Sequence, residues 1–421
     1  MKKNNINFLL TFILLFILLF QDSIVMYFKL NFLNYLDEII VLVLLFFSFI
    51  SLLKNKKISI FQLSLLILIL LFFSFGFFSC YKNSEFIINN VLKAGFLSIK
   101  FFLLIFSFLN LDINQNIKYY FVHSLELIAK IVLFVGIFNF IFPNIYLKIF
   151  SFAIPMRRFG LLSITSLFYH PGKFGWFMLF ISLLYYSKYS IEKKESDKIW
   201  MIIYGISSLL SYRTKVIIGM FVIFLLVNIF NKKISLKSWI LVLCGSLFIF
   251  TIFGNIILNT YNLYFSSDGS ESARQVLIVN GVKLLKYYFP LGVGFGKYGS
   301  WFAKINYSEY YYFLGMNNIY GLSPEMSSYA TDTFWPSIMG ETGILGFLVF
   351  LAIIFLIIKK LKEKIITDNY YVLTFKTWAF LALIQSLCES FGEPSFNSSP
   401  QNIMLAVVIG ISINSLSEVK K

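Results

Sequence analysis

The chain is poor in most of the groups that soluble proteins use for chemistry. Only 13% of its 421 residues are charged, and it has two histidines, three cysteines and four arginines. Two histidines, His123 and His170, are too few for a metal cluster. Cys80, Cys244 and Cys388 lie in or beside three different apolar runs without CxxC spacing, so neither a disulfide framework nor a zinc site is indicated, and they read as packing residues. No internal repeat of 20 to 50 residues and no low-complexity tract is evident, which argues against a solenoid. Polar sequence is too scarce for a large soluble domain.

Apolar sequence is what the chain has in quantity. With 58% hydrophobic residues, a mean hydropathy of +0.79 and apolar runs close to the length of a bilayer, it reads as an all-α, polytopic integral membrane protein. A net charge of +16 would suggest nucleic acid in a soluble protein. Here the lysines cluster in short segments between apolar runs, as topology signals do, so nucleic acid is not expected as a partner. The lipid bilayer is.

About twelve spans are expected, near 7 to 27, 36 to 53, 59 to 79, 94 to 110, 119 to 142, 171 to 188, 198 to 212, 214 to 230, 236 to 257, 336 to 359, 369 to 389 and 400 to 417. Met1-Lys2-Lys3 and the apolar stretch after it have the look of a signal peptide, but no small-residue cleavage site follows, and the stretch reads as the first span. Lysines on both sides of the stretch from 198 to 230 make it a hairpin of two short spans, with Arg213 near the tip. The same rule places both termini in the cytoplasm. The chain then divides into spans over 1 to 257, one long external loop over 258 to 335, and three further spans over 336 to 421. A second external basic loop lies near 143 to 170.

All four arginines, Arg157, Arg158, Arg213 and Arg274, fall on the external side, which should be poor in positive charge. A planar bidentate donor used so sparingly, and there, points to phosphate. Buried arginine at mid-membrane costs about 2.5 to 3.5 kcal/mol, so Arg213 between two apolar runs needs either an interfacial anchor role or an anion. Arg157 and Arg158 have lipid head groups as their bland alternative. Lys100, Lys130 and Lys376 lie within spans and have internal pairing as theirs.

Asp332 stands where the long loop re-enters the membrane, in Ala-Thr-Asp-Thr-Phe-Trp-Pro, as a candidate base or a cap for the next helix, with Pro336 in its first turn. Glu341 lies about two and a half turns deeper on another face. Glu389 and Glu393 are candidates to converge with these carboxylates from another helix end. His170 is placed to orient a substrate or to serve structure. The loop's tyrosines and Trp301 offer flat apolar faces with polar tips, suited to sugar rings, with an interfacial aromatic belt as the alternative. Its segment from Pro290 to Gly299 contains a formal GxGxxG, but without the strand before it and helix after it that a nucleotide fingerprint needs; the glycines are expected to let the backbone approach a ligand or a neighbouring helix.

In order along the chain, Arg157-Arg-Phe-Gly160 followed by Tyr169-His-Pro-Gly172, then Tyr212-Arg213, then Ser272-Ala-Arg274 with Pro290 to Gly296, then Asp332-Thr333 and Glu341-Thr-Gly343 resemble the motif series of the O-antigen ligase and Wzy-type O-antigen or capsular polysaccharide polymerase superfamily. The resemblance covers roughly residues 155 to 410. It implies a GT-C-like helical fold and an undecaprenyl-diphosphate-linked oligosaccharide as substrate, with a chain-length regulator as a candidate partner. The histidine that ligases carry at the position of Asp332 is absent, which favours a polymerase. Arg213 and Arg274, with Asp332 or Glu341 as base, are then the expected catalytic set. Arg157, Arg158, His170, Tyr212, Lys215, Tyr298 and Trp335 are the expected substrate-binding set, and neither metal nor cofactor is expected.

Overall fold

The computed structural model describes residues 2–55, 57–83, 87–158, 160–230 and 273–419. The span expected near 236 to 257, Cys244, and the loop residues up to 272, including Tyr261, Tyr264 and Ser272, lie outside the described residues. The chain starts with α1 (Lys2–Leu19) and α2 (Gln21–Phe28), which meet at a 73° bend. The expected first span is therefore not one straight helix. Polar residues stand at the bend: Gln21 and Ser23 are buried, and the partly exposed Asp22 pairs with Lys173.

Then follow α3 (Leu36–Asn55), α4 (Ile60–Asn83), α5 (Ile88–Asn110), α6 (Gln115–Ile141) and α7 (Pro143–Ile149). A two-residue ribbon of β1 (Arg157–Arg158) and β2 (Leu161–Leu162) leads to α8 (Pro171–Glu192), α9 (Glu195–Leu209) and α10 (Thr214–Phe230). After α11 (Ala273–Tyr287) come the short α12 (Trp301–Ile305) and α13 (Glu309–Phe313), then α14 (Trp335–Lys362), α15 (Tyr370–Glu389) and α16 (Gln401–Val419). Local chemistry sets several of the starts. Asn114 caps α6 by accepting from the Ile117 amide, Asn369 caps α15, and a proline opens both α8 and α14.

Among the described residues α3, α4, α5, α6, α14 and α15 are long and apolar enough to cross a membrane by length and composition, and the α1–α2 pair makes a seventh if it is one span. The other expected spans, at α8, α9, α10 and α16, are helices in the expected places but are shorter or more polar. Outward side chains agree with a lipid setting. Phe46, Phe49 and Leu53 on α3 and Leu70 and Phe78 on α4 are all more than half exposed, an apolar surface that water would not tolerate on this scale. The centre of the bundle is formed by α8 and α16, which are buried on nearly every face. α8 packs on α9 and α15, α16 on α5 and α15, and α4 on α14.

The segment from α11 to the start of α14 builds a second core from Leu277, Leu284, Val293, Tyr298, Tyr311 and Leu322. It is joined to the bundle by a break in α14. Gly343 adopts φ 66° and ψ −166°, interrupting the helix, and the carbonyls of Gly340 and Glu341 accept from the amides of Val293 and Gly294, both at 2.8 Å. Only glycine fits at 343, since a Cβ there would stand 2.3 Å from the Leu291 carbonyl carbon. Phe295 is driven between α4 and α5, against Gly76, Gly95 and the rings of Phe72 and Phe73. The glycine-rich segment is thus a helix-packing joint, the second of the two roles its glycines allow.

Candidate functional site

At one end of the bundle four chain breaks come together: the segment before α8, the α9–α10 turn, the entry to α14, and the α15–α16 connection. Ordinary backbone bonds hold them. The Ile164 amide donates to the Leu210 carbonyl at 3.2 Å, and the Phe334 amide donates to the Ser390 carbonyl at 3.2 Å. The first segment is tied down by Asn139, whose side-chain oxygen accepts from the Thr165 and Ser166 amides, and by the Tyr146 hydroxyl, which contacts Thr165 at 2.8 Å.

This framework gathers most of the expected polar residues. Arg158 donates to the Tyr212 carbonyl at 3.3 Å, and Arg213 donates to the Met156 sulfur at 2.6 Å. Tyr212 takes φ 50° at the tip between α9 and α10, which presents its carbonyl to Arg158. Arg274 forms an ion pair with Asp332 at 3.1 Å, both about one-third exposed. Lys215 is paired with Glu393 and also lies within electrostatic reach of Glu389, Arg213, Arg274 and Lys173. Lys173 in turn binds Asp22 and donates to the Ser399 carbonyl at 2.6 Å. Arg157, on the exposed side of its ribbon, and Arg158 form no ion pair with another described residue.

His170 sits within this set and caps α8. Its Nδ1 accepts from the Gly172 amide at 3.0 Å, so the ring is neutral with the proton on Nε2. Burial pushes its pKa down to about 3, and Arg213, Lys215, Lys173 and Arg158 push in the same direction. Burial raises the Asp332 carboxyl above its ordinary value, while Arg274 draws it back. Asp332 does not cap α14: the residue in that position is Phe334, with no side-chain bond.

Three expected site residues are placed elsewhere or used otherwise. Glu341 is 3% exposed and spends one oxygen on the amides of Lys297 and Tyr298 and the Ser300 hydroxyl. It stabilises the glycine-rich joint and does not meet the arginines in any described contact. Tyr298 is fully buried and donates to the Leu277 carbonyl at 2.7 Å, so it offers no face to a sugar. Trp335 packs edge-on against Phe334, Phe347 and Phe350 and tilted against Phe391. Tyr310 and Tyr311 are likewise core residues, whereas Tyr287, Tyr312, Tyr320 and Trp301 remain more than half exposed.

The lysines within spans pair internally: Lys100 with Asp37 at 2.6 Å, Lys130 over the Trp200 ring, and Lys376 with the Glu363 carbonyl at 2.6 Å. Two members of the basic end were missed in the sequence, Lys173 and Asp22. A charge inside the first apolar run was the available signal for Asp22. Among the described residues no three His, Cys, Asp or Glu side chains gather as a metal site. The chain matches no protein-family model and no curated protein. Fold and site define a helical membrane protein with a basic, histidine-capped site at one end of its bundle.

Proposed function

We propose that the protein is a membrane glycosyltransferase of the Wzy polymerase type, joining undecaprenyl-diphosphate-linked oligosaccharide repeats on the outer face of the cytoplasmic membrane. The observation that carries this reading is the cationic surroundings of Lys215 and the neutral His170: Arg213 lies within electrostatic reach of both, Arg274 of Lys215 and Arg158 of His170. A sugar hydroxyl of one lipid-linked repeat attacks C1 of the reducing-end sugar of another, and the hydroxyl proton passes to Asp332. The C1–oxygen bond breaks with inversion, and its electron pair leaves on undecaprenyl diphosphate. Diphosphate is a stable anion, so its departure needs fixed positive donors more than a strong acid, and Arg213 and Arg274 supply them without a metal. Arg157 and Arg158 hold the donor. Asp332, kept near Arg274, is within reach of the same region and accepts the proton.

Two rival readings remain distinct. Ligation to an acceptor other than a second repeat uses the same geometry, and the aspartate at 332 in place of the ligase histidine disfavours it. A non-enzymatic transporter or flippase of the lipid-linked glycan is favoured by one observation, the broken helices α1–α2 and α14. In α14, however, the carbonyls freed at the break are bonded to Val293 and Gly294, so that break serves as a joint instead of a substrate site. The test is the lipid-linked intermediate in cells carrying Arg213→Gln or Arg274→Gln. Single repeats accumulating on the outer leaflet, with no polymer and normal protein level, is the expected result. Accumulation on the inner leaflet indicates a flippase, and normal long-chain polysaccharide in both variants refutes the assignment.

A further inference from the structure

We infer that the groove between α6, α8 and α9 holds the polyprenyl chain of a diphosphate lipid whose head lies at Arg158 and Arg213; this rests on the lipid-diphosphate reading above. A cavity of about 220 Å³ lies there, lined by Gly136, Ile137, Phe140, Ile164, Phe174 and Leu210. Its lining is almost wholly apolar, and the hydroxyl of Ser207 beside it is turned away to the Ile203 carbonyl at 2.7 Å. No polar group asks for a polar ligand. Ile137 and Phe140 are half exposed on the outer surface of α6, so the groove opens sideways towards lipid. Its size is below the roughly 300 Å³ at which pockets for whole small ligands begin, which suits one stretch of a long chain that continues into the bilayer.

The position of the groove identifies the kind of chain. Its rim is the Ile164–Leu210 backbone bond. Two residues beyond Leu210, the Tyr212 carbonyl takes the Arg158 guanidinium, and Arg213 follows. Phe174, at the groove wall, is one helical turn from His170. An occupant whose apolar part fills the groove therefore has its head beside two guanidinium groups, and a diphosphate on a prenyl chain has that combination of charge and hydrocarbon. Gly136 keeps the groove open, since a Cβ there would already come within 3.3 Å of the Phe174 ring.

The experiment uses the full-length protein in lipid nanodiscs with undecaprenyl diphosphate as the probe. Replacing Ile137 with the photo-crosslinker p-benzoylphenylalanine should give an undecaprenyl diphosphate adduct on illumination, and the same replacement at Phe355, exposed to bulk lipid on α14, should give adducts with the nanodisc phospholipid alone. Gly136→Leu should weaken undecaprenyl diphosphate binding about tenfold or more, with binding of inorganic diphosphate and the unfolding midpoint unchanged. Equal undecaprenyl diphosphate adducts at both positions, or full binding by Gly136→Leu without such an adduct at Ile137, overturn the groove while leaving the proposed substrate standing. Equal competition by phosphatidylglycerol overturns the choice of occupant. A wild-type protein that binds no prenyl diphosphate at all overturns the functional reading itself.

Discussion

Glu341 and Glu389 are both buried glutamates, yet one is held by neutral donors alone and the other has a cation, Lys215, beside it. Glu341 is surrounded by two backbone amides and a serine hydroxyl, each bonded to the same oxygen. Glu389 is fully buried, bonds Gln385 through one oxygen at 3.0 Å, and has Lys215 as its nearest compensating charge. Its other oxygen has no hydrogen-bond partner among the described residues. Neutral, geometrically fixed donors make a joint, because nothing is gained by exchanging them. Cations held by carboxylates make a reservoir of charge that an incoming anion can share. The difference separates the part of the molecule that holds the fold from the part suited to a ligand, although both looked alike as acidic residues near helix ends.

Substitutions at the two regions should have opposite effects on activity and stability. Arg213→Gln or Arg274→Gln is expected to lower polymer formation about 10²- to 10³-fold, the usual cost of removing one fixed donor to a developing anion, with the unfolding midpoint nearly unchanged. Glu341→Ala should do the reverse. It leaves three buried donors without an acceptor, a loss of about 3 kcal/mol or more of stability, while the protein that does fold keeps its turnover. A folded but inactive Glu341→Gln protein would put that residue back in the chemistry. Gly343→Ala strains a left-handed position and strikes the Leu291 backbone. Thermal unfolding in detergent should show at least about 1 to 3 kcal/mol lost.

The pH dependence sharpens the same contrast. The pKa of His170 is about 3 in the folded protein against 6.5 ordinarily. The unfolded chain therefore takes up the proton first, so the stability contribution is complete above 6.5 and shrinks as pH falls from there towards 3. Between pH 6.5 and 5 the unfolding midpoint of wild type should fall more than that of His170→Asn, in which asparagine can still cap α8. Parallel curves would show that His170 is not held neutral. The smallest effect is expected at Tyr320, which is 71% exposed. Tyr320→Ala should stay within about 0.5 kcal/mol in stability, and any loss of apparent affinity for the glycan marks it as a sugar platform.

Much of the helix pattern was legible because hydrocarbon length and lysine placement are local signals. α3 to α6, α14 and α15 lie where apolar runs end in polar residues. Charges beside apolar runs are rare and need partners, which singles out Arg158, Arg213, Arg274 and Asp332 in the sequence; that Arg274 pairs with Asp332 and Arg158 with the Tyr212 carbonyl is visible only in the fold. What stayed hidden depends on tertiary packing. Nothing in the neighbourhood of Tyr298 or Trp335 distinguishes an aromatic that faces a ligand from one that fills a core. The bend in the first span lies beside a contact between Asp22 and Lys173, 151 positions away, which no local signal reveals. Glu341 was read by its chemistry, while its role was fixed by three donors from a loop more than 40 residues earlier.

Phe295, wedged between two glycines of neighbouring helices, has a practical consequence for handling the molecule. The portion built on α11 to α13 has its own core but carries this ring as a peg whose socket is in the bundle. Cut free, it would present the naked peg to water and lose the amide acceptors at the break in α14. Expressed alone it should clump, and binding studies should begin with the intact chain in a lipid environment.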